Sequence, residues 1–328
     1  MGKYYIELNI TNLENRELVN QTFNVTIPAV EIPLYSKLKA GNVYVLDSSG
    51  KPLYFWVMRR TSKVFTVFFR VSRIPPGGWA VVRIYYGSTN PYRRYRKPEM
   101  LFVYFNGFNR LGDYPHVDTG IFDDSKNFES GELRVRNGKL IANSTIWPDF
   151  SSWDVRSVSK EVELTRFKVN DRYAVVFKFK RRSDVQYAES YPFYMFIHAK
   201  VGNRHRYDYI AVKENANSKF LFEFGNDRAG TVEINKKVGK QYYIGEILVT
   251  PTGSWGRVEK FSSGKVIAWH SFENRGRFRN REVSVGFGQA NVDWFPVELT
   301  AYVDWVYVMR TAEYRVKLIG FGGECEFN

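Results

Sequence analysis

Hydrophobic and polar residues alternate with a period of two along much of this chain. Ile6, Leu8 and Ile10 interleave with Tyr5, Glu7 and Asn9, and Phe23, Val25 and Ile27 continue the pattern up to Pro28. That period puts alternate side chains on opposite faces of a strand, so both stretches predict half-buried strands. Leu34 to Ala40 reads as one helical turn, and Asn42 to Leu46 as a strand. Asp47-Ser48-Ser49-Gly50 predicts a hairpin turn, because Gly accepts the positive φ such turns need. Leu53 to Met58 returns, Val64 to Val71 follows, and Pro75-Pro76-Gly77-Gly78 turns into Ala80 to Tyr86. Strands roughly every ten residues with no long amphipathic helix predict a sandwich.

Gly87 to Pro98 breaks the alternation with turn residues, a basic run and two prolines, and reads as a linker. Strand signals then resume, from Leu133–Val135 through Val158–Leu164, Tyr173–Lys180 and Lys219–Phe224 to Thr300–Arg310. In Lys219–Phe224 the side chains of Phe220, Phe222 and Phe224 point one way, with Leu221 and Glu223 opposite. About twelve antiparallel strands without helices between them predict two large curved sheets. The fold class is therefore all-β: a small antiparallel β-sandwich over 1–90, a linker over 91–99, a larger jelly-roll sandwich over 100–314, and a tail or edge strand over 315–328. A length of 328 residues suits two domains.

Composition changes this picture little. At 44% hydrophobic and 17% aromatic, the chain can fill two cores. Its net charge of +14 reads either as a solvated basic surface or as a preference for anionic partners. The one cysteine, Cys325, excludes an internal disulfide and leaves open a cross-link to another chain. No stretch approaches the ~20 apolar residues of a membrane-spanning helix. After Met1-Gly2 the chain enters its first strand directly, so no leader is read: the protein avoids that route of secretion, or its leader has been removed. Few Gln, one Cys, many Lys, Arg and Tyr, and short loops resemble a hyperthermophile protein.

Two stretches of the first hundred residues resemble a family of prokaryotic surface proteins known only as a domain of unknown function. One is Asn42 to Trp56, a strand, an Asp-x-x-Gly turn and a return strand ending Leu53-Tyr-Phe-Trp56. The other is Phe68 to Gly77 followed by Val82-Arg-Ile-Tyr-Tyr-Gly87, with Ser88 where the family has Asn. In that family a concanavalin A-like (laminin-G-like) jelly roll often follows. The second part is similar to one, through Phe102 to Phe108, Asn137-Gly-Lys-Leu140 and the closing Ala301-Tyr-Val-Asp304-Trp305-Val-Tyr-Val-Met-Arg310. Asn106-Gly107 replaces a common acidic pair, which weakens a metal site there. Asp304 and Trp305 read as anchors of the last strand.

Catalytic chemistry finds little support in the sequence. Retaining glycosidases of that fold carry Glu-x-Asp-x-x-Glu on one strand. The nearest match, Glu161-Val-Glu163, has Arg166 in the third position and reads as an exposed strand face. The four histidines lack metal spacing, and no Ser or Cys nucleophile motif or phosphate-binding loop occurs. The chain is therefore expected not to be an enzyme and to need no cofactor. A structural calcium at Asp123, Asp124 and Asn127 competes with an ordinary acidic turn.

Binding chemistry is better represented. Sugars take aromatic rings under their C–H faces and planar polar groups on their hydroxyls. Trp147, Trp153, Trp255 and Trp294 lie in turn-rich segments, and Arg204, Arg206 and Tyr207 mix basic and aromatic groups. These are the candidate ligand residues, with polysaccharide or glycoprotein glycans, acidic ones included, as partners. No specific nucleic-acid motif accompanies them. Sequons at Asn9, Asn20, Asn24 and Asn143 hint at an exposed location. The leading expectation is a non-catalytic extracellular adhesion or carbohydrate-binding protein on a cell surface. One alternative is a structural subunit of an archaeal surface filament, envelope or virion that self-associates by exchanging terminal strands. A glycan-degrading enzyme ranks last.

Overall fold

The computed structural model describes residues 4–117, 119, 121, 130–146, 158–182, 190–215, 219–228, 230–272, 276–292 and 297–323. The chain divides into two compact units. Met1–Val103, Ser262–Gly264 and Met309–Asn328 make the first, and Tyr104–Phe261 with Lys265–Val308 the second. Both are β-structures.

In chain order the first unit starts with β1 (Tyr4–Asn12), β2 (Leu18–Pro28), β3 (Tyr44–Asp47), β4 (Phe55–Arg60), β5 (Val64–Ile74) and β6 (Trp79–Tyr86). The second contains β7 (Tyr104–Asn106), β8 (Ser130–Val135), β9 (Leu140–Ile146), β10 (Val158–Lys168), β11 (Tyr173–Arg181), β12 (Ser190–Val201) and β13 (Arg204–Asn215). It continues with β14 (Lys219–Asn226), β15 (Gly230–Ile234), β16 (Tyr243–Val249), β17 (Ser254–Lys260), β18 (Val266–Ser271), β19 (Glu282–Asn291) and β20 (Val297–Arg310). β21 (Tyr314–Gly323) returns to the first unit.

In the first unit a four-stranded sheet, β21-β1-β6-β3, and a three-stranded sheet, β2-β5-β4, enclose one core. The alternation read in β1 is the packing: Ile6, Leu8 and Ile10 are buried, while Tyr5, Glu7 and Asn9 are half-buried. The Asp47 carboxylate accepts the Ser49 and Lys51 amides at 2.9 Å, and Gly50 takes φ +84°. In the Pro75–Gly78 turn Gly77 has φ +64°, and the Gly78 amide donates to the Pro75 carbonyl at 3.0 Å. Residues 91–99 form two short 3-10 turns, with Tyr92 and Tyr95 against the core. β21 pairs antiparallel with β1, and Tyr314 meets Phe23 edge-on at 4.8 Å.

The second unit is a jelly-roll sandwich. Its sheets are a six-stranded one, β10-β19-β12-β13-β14-β15, and an eight-stranded one built on the path β18-β17-β16-β11-β20-β9-β8 with β7 beside β20. Phe177, Phe179, Phe193, Phe222, Phe224 and Phe287 fill the space between them. The reverse face of the six-stranded sheet carries a second, smaller cluster of Tyr191, Tyr194, Phe196, Tyr209, Ala211 and Ala290. That sheet is therefore covered on both faces.

Candidate functional site

β16, β17 and β18 turn Ile247, Val249, Val258 and Ala268 into the core. Alternation then sends Glu246, Leu248, Trp255, Arg257 and Trp269 to the outer face of the eight-stranded sheet. The register pairs Leu248 with Trp255, and Glu246 with Arg257 with Trp269. The two indoles thus stand on adjacent strands, offset by one residue pair. They border an open groove of about 510 Å³, lined also by Arg172, Leu248 and Val266. Trp269 is 59% exposed, and Trp255 is half-buried with its ring 3.3 Å from where a Cβ on Gly253 would stand. Arg257 Nη2 donates to Glu246 Oε2 at 2.7 Å, and the carboxylate's charge raises the Arg257 pKa. The groove offers apolar ring faces beside planar charged groups that hold hydrogen-bond donors and acceptors in place, the combination that grips a sugar.

The reverse face of the six-stranded sheet is a second concentration of chemistry. One register row runs Glu161, Gly288, Tyr194, Ala211, Glu223, Glu233 across the sheet. Glu161 is buried and accepts Thr119 N at 2.8 Å, Thr119 Oγ1 at 2.6 Å and the Tyr194 hydroxyl at 2.8 Å. Glu223 is buried too, and accepts the Tyr209 hydroxyl at 2.5 Å and the Tyr191 hydroxyl at 3.1 Å, with Lys213 Nζ 3.4 Å away. Burial, then the charge of Glu223, pushes the Tyr209 phenol well above its ordinary pKa. Glu163 accepts both arms of Arg166, at 2.6 and 2.9 Å, and the Ser284 hydroxyl at 2.8 Å. The reading of Glu161-Val-Glu163 as an exposed strand face is corrected: both carboxylates are buried. A period of two distinguishes two faces but does not say that the polar one meets water.

The other candidates scatter. Arg204 is exposed at the start of β13. Arg206 is paired with Asp227 at 2.6 Å, and the Tyr207 amide donates to the same carboxylate at 3.2 Å. Asp227 and the fully buried Asp208 also hold Arg277. These groups belong to the six-stranded sheet and its loops, whereas Trp255 stands on the other sheet. Trp147, Trp153, Trp294, Asp123, Asp124 and Asn127 lie outside the described residues. Among the described residues no group of three or more acidic, His or Cys side chains could hold a metal ion. Asn20 is exposed; Asn9, Asn24 and Asn143 are half-buried, and Asn24 Oδ1 accepts the Tyr314 hydroxyl. Among the described residues no helix is long and apolar enough to cross a membrane.

Sequence reading missed Trp269, although Ala268-Trp269 on an alternating strand marks an outward ring. It could not supply the register that sets Trp269 beside Trp255.

No family model matches the chain, so the resemblance of its first part to the surface-protein domain has no support from that side. No curated protein matches it by sequence either. Solved structures are similar to it over about two thirds of its length. The pseudo β-1,3-glucanase of Mycobacterium tuberculosis has 12% identity and a TM-score of 0.42, over 64% of this chain and 99% of that one. A laminarinase from a Flavobacterium has 12% identity and a TM-score of 0.42, over 63% and 99%. The CBM2 module of the evolved Dit of a Lactobacillus casei phage has 10% identity and a TM-score of 0.42, over 65% and 97%. At such identities and TM-scores the likeness carries no role over to this chain. The expectation that the chain is not an enzyme is nonetheless corrected. The solved structures similar to it include a glucanase and a laminarinase, and the acidic stretch read as an exposed strand face carries buried carboxylates.

Proposed function

We propose that the second unit binds glycan chains in the groove between Trp255 and Trp269, as a carbohydrate-recognising protein acting outside the cell or at its surface. The observation that carries this reading is the exposed Trp269 beside Trp255, with Arg257, Glu246 and Arg172 around them. A large exposed indole loses contact with water at little loss of order, so it is a favourable platform for a pyranose face. Adhesion to a glycan-coated surface is the role that suits such a site. Assembly by terminal-strand exchange has less to draw on, because β1 and β21 already pair with each other. Tryptophan fluorescence of the whole protein, titrated with soluble β-glucans, mannans and xylans, tests the reading. A saturable change with at least one of them is expected, and it should vanish in Trp269→Ala.

A second reading, glycan hydrolysis, draws on Glu161 and Glu163. They are two residues apart on one strand face, about 7 Å along the backbone, and paired carboxylates are what glycoside hydrolysis uses. Reducing-sugar release that disappears in both Glu161→Gln and Glu163→Gln would establish it, and its absence across the same glycan panel would remove it.

A further inference from the structure

We propose that the outer face of the eight-stranded sheet carries a separate site for a polyanionic glycan, formed by Lys139, Lys178, Lys180 and Arg182 around Tyr242 and Tyr302. Alternation on β11 buries Phe177 and Phe179 and turns Lys178 and Lys180 outward. Beside β11 lie β20, which supplies Tyr302 and Asp304, and β16, which Tyr242 immediately precedes.

The Nζ atoms of Lys139, Lys178 and Lys180 lie 5.3, 4.7 and 4.9 Å from the centroid of the Tyr242 ring. Lys180 is also 4.9 Å from the Tyr302 ring, whose hydroxyl accepts Arg182 Nη1 at 2.7 Å. Lys178, the least exposed of the four cations, is also bonded to the Asp304 carboxylate and lies 3.8 Å from the centroid of the Phe261 ring. Several other described cations pair with acids, as Arg83 with Glu7, Arg166 with Glu163, Arg257 with Glu246, and Lys213 with Glu223 and Glu233. Here ring faces do that work. A π-face attracts an ammonium without cancelling its charge. The result is a fixed group of like charges whose repulsion a multivalent anion would relieve.

The rings also indicate the class of anion. Ammonium groups lie over both rings, where they compete with the base stacking that single-stranded nucleic acid requires. Recognition is therefore by charge and hydrogen bonding, which suits the carboxylates of uronates or the sulfates of sulfated sugars. The site is distinct from the tryptophan groove and does not depend on it.

The test measures binding of the whole protein to polygalacturonate, dextran sulfate, neutral dextran and oligo-thymidylate. The triple variant Lys139→Gln/Lys180→Gln/Arg182→Gln is compared with its all-conservative counterpart, Lys139→Arg/Lys180→Arg/Arg182→Lys, and with Trp255→Ala/Trp269→Ala. Thermal midpoints matching the parent's confirm that the variants fold. Binding to polygalacturonate, to dextran sulfate or to both is expected, and which of them binds identifies carboxylate or sulfate as the anion recognised. The neutralised triple should bind at least about tenfold more weakly, a loss of ~1.4 kcal/mol, while the conservative triple and the tryptophan variant retain binding. Raising salt from about 0.1 M to about 1 M shortens the Debye length from ~10 Å to ~3 Å and should abolish it. Unchanged binding by the neutralised triple, equal binding of neutral dextran, no binding to either polyanion at low salt, or tighter binding of oligo-thymidylate would each overturn the proposal.

Discussion

The Tyr194 hydroxyl reaches Glu161 Oε1 at 2.8 Å across a whole intervening strand, passing over Gly288, which has no side chain to block it. The contact ties β12 to β10 through their buried side chains as well as through the β19 ladders. A buried carboxylate needs its donors, because an unsatisfied one carries its full desolvation penalty. Tyr194→Phe should therefore destabilise the second unit by about 1.5–3 kcal/mol, read as a lower midpoint in urea denaturation. No shift in midpoint would show that water replaces the phenol and that the site is wetter than described.

Gly225 and Tyr209 make a steric counterpart to that contact. The Tyr209 ring lies where a Cβ on Gly225 would stand, 2.4 Å from its nearest atom. Gly225→Ala must displace a buried ring that also bonds Glu223, and should cost about 1–3 kcal/mol by overpacking. Gly320→Ala on β21, with nothing within 4 Å, is the control and should be close to neutral. Parallel melting curves of the two variants check this.

Alkaline pH should act on both units. Burial pushes the Tyr86 phenol up to about 12, and its hydroxyl donates to the Pro33 carbonyl at 2.7 Å. Unfolded tyrosine ionises near 10, so above that pH the unfolded chain has released a proton that the folded one keeps. Stability then falls as pH rises. The Tyr86 contribution is whole below about pH 10 and lost between about 10 and 12. Tyr209 moves in the same direction. Denaturation midpoints across this window should decline in the parent and decline less steeply in Tyr86→Phe. Equal slopes would contradict the burial of Tyr86.

Removal of residues 314–328 should weaken the first unit. It strips β21 from β1, exposes that strand's ladder groups, and takes Tyr314, Val316 and Leu318 from the edge of the core. Hydrogen exchange should show faster exchange of β1 and β6 amides in the truncated chain, with β12 and β19 unchanged. Equal protection of β1 in both chains would show that β21 adds nothing to the sheet.

The strands were legible because their apolar residues follow the pleat. The stretches read as Leu133–Val135, Tyr173–Lys180 and Lys219–Phe224 lie within β8, β11 and β14. Phe220, Phe222 and Phe224 do face the core, but Glu223 opposite them is buried as well. β15 escaped because its side chains are almost all exposed, so no alternation betrays it. The site was half legible. Trp255 was singled out by chemistry, whereas Trp269 depends on the β17–β18 register, which arises from pairing and not from either strand alone. The carboxylates were misjudged for a related reason: what covers the reverse face of the six-stranded sheet includes Thr119, Val117 and Ile121, far from β10 in sequence.

The central claim is that Trp255 and Trp269 together form the glycan platform. Calorimetric titration of the parent protein and of Trp255→Ala/Trp269→Ala, using whichever glycan changes the parent's fluorescence, tests it most directly. Losing both rings removes the apolar platform of the groove and should weaken binding by at least about tenfold, ~1.4 kcal/mol, with the thermal midpoint unchanged. Parent-like affinity in the double variant would contradict the account and move the binding site elsewhere on the molecule.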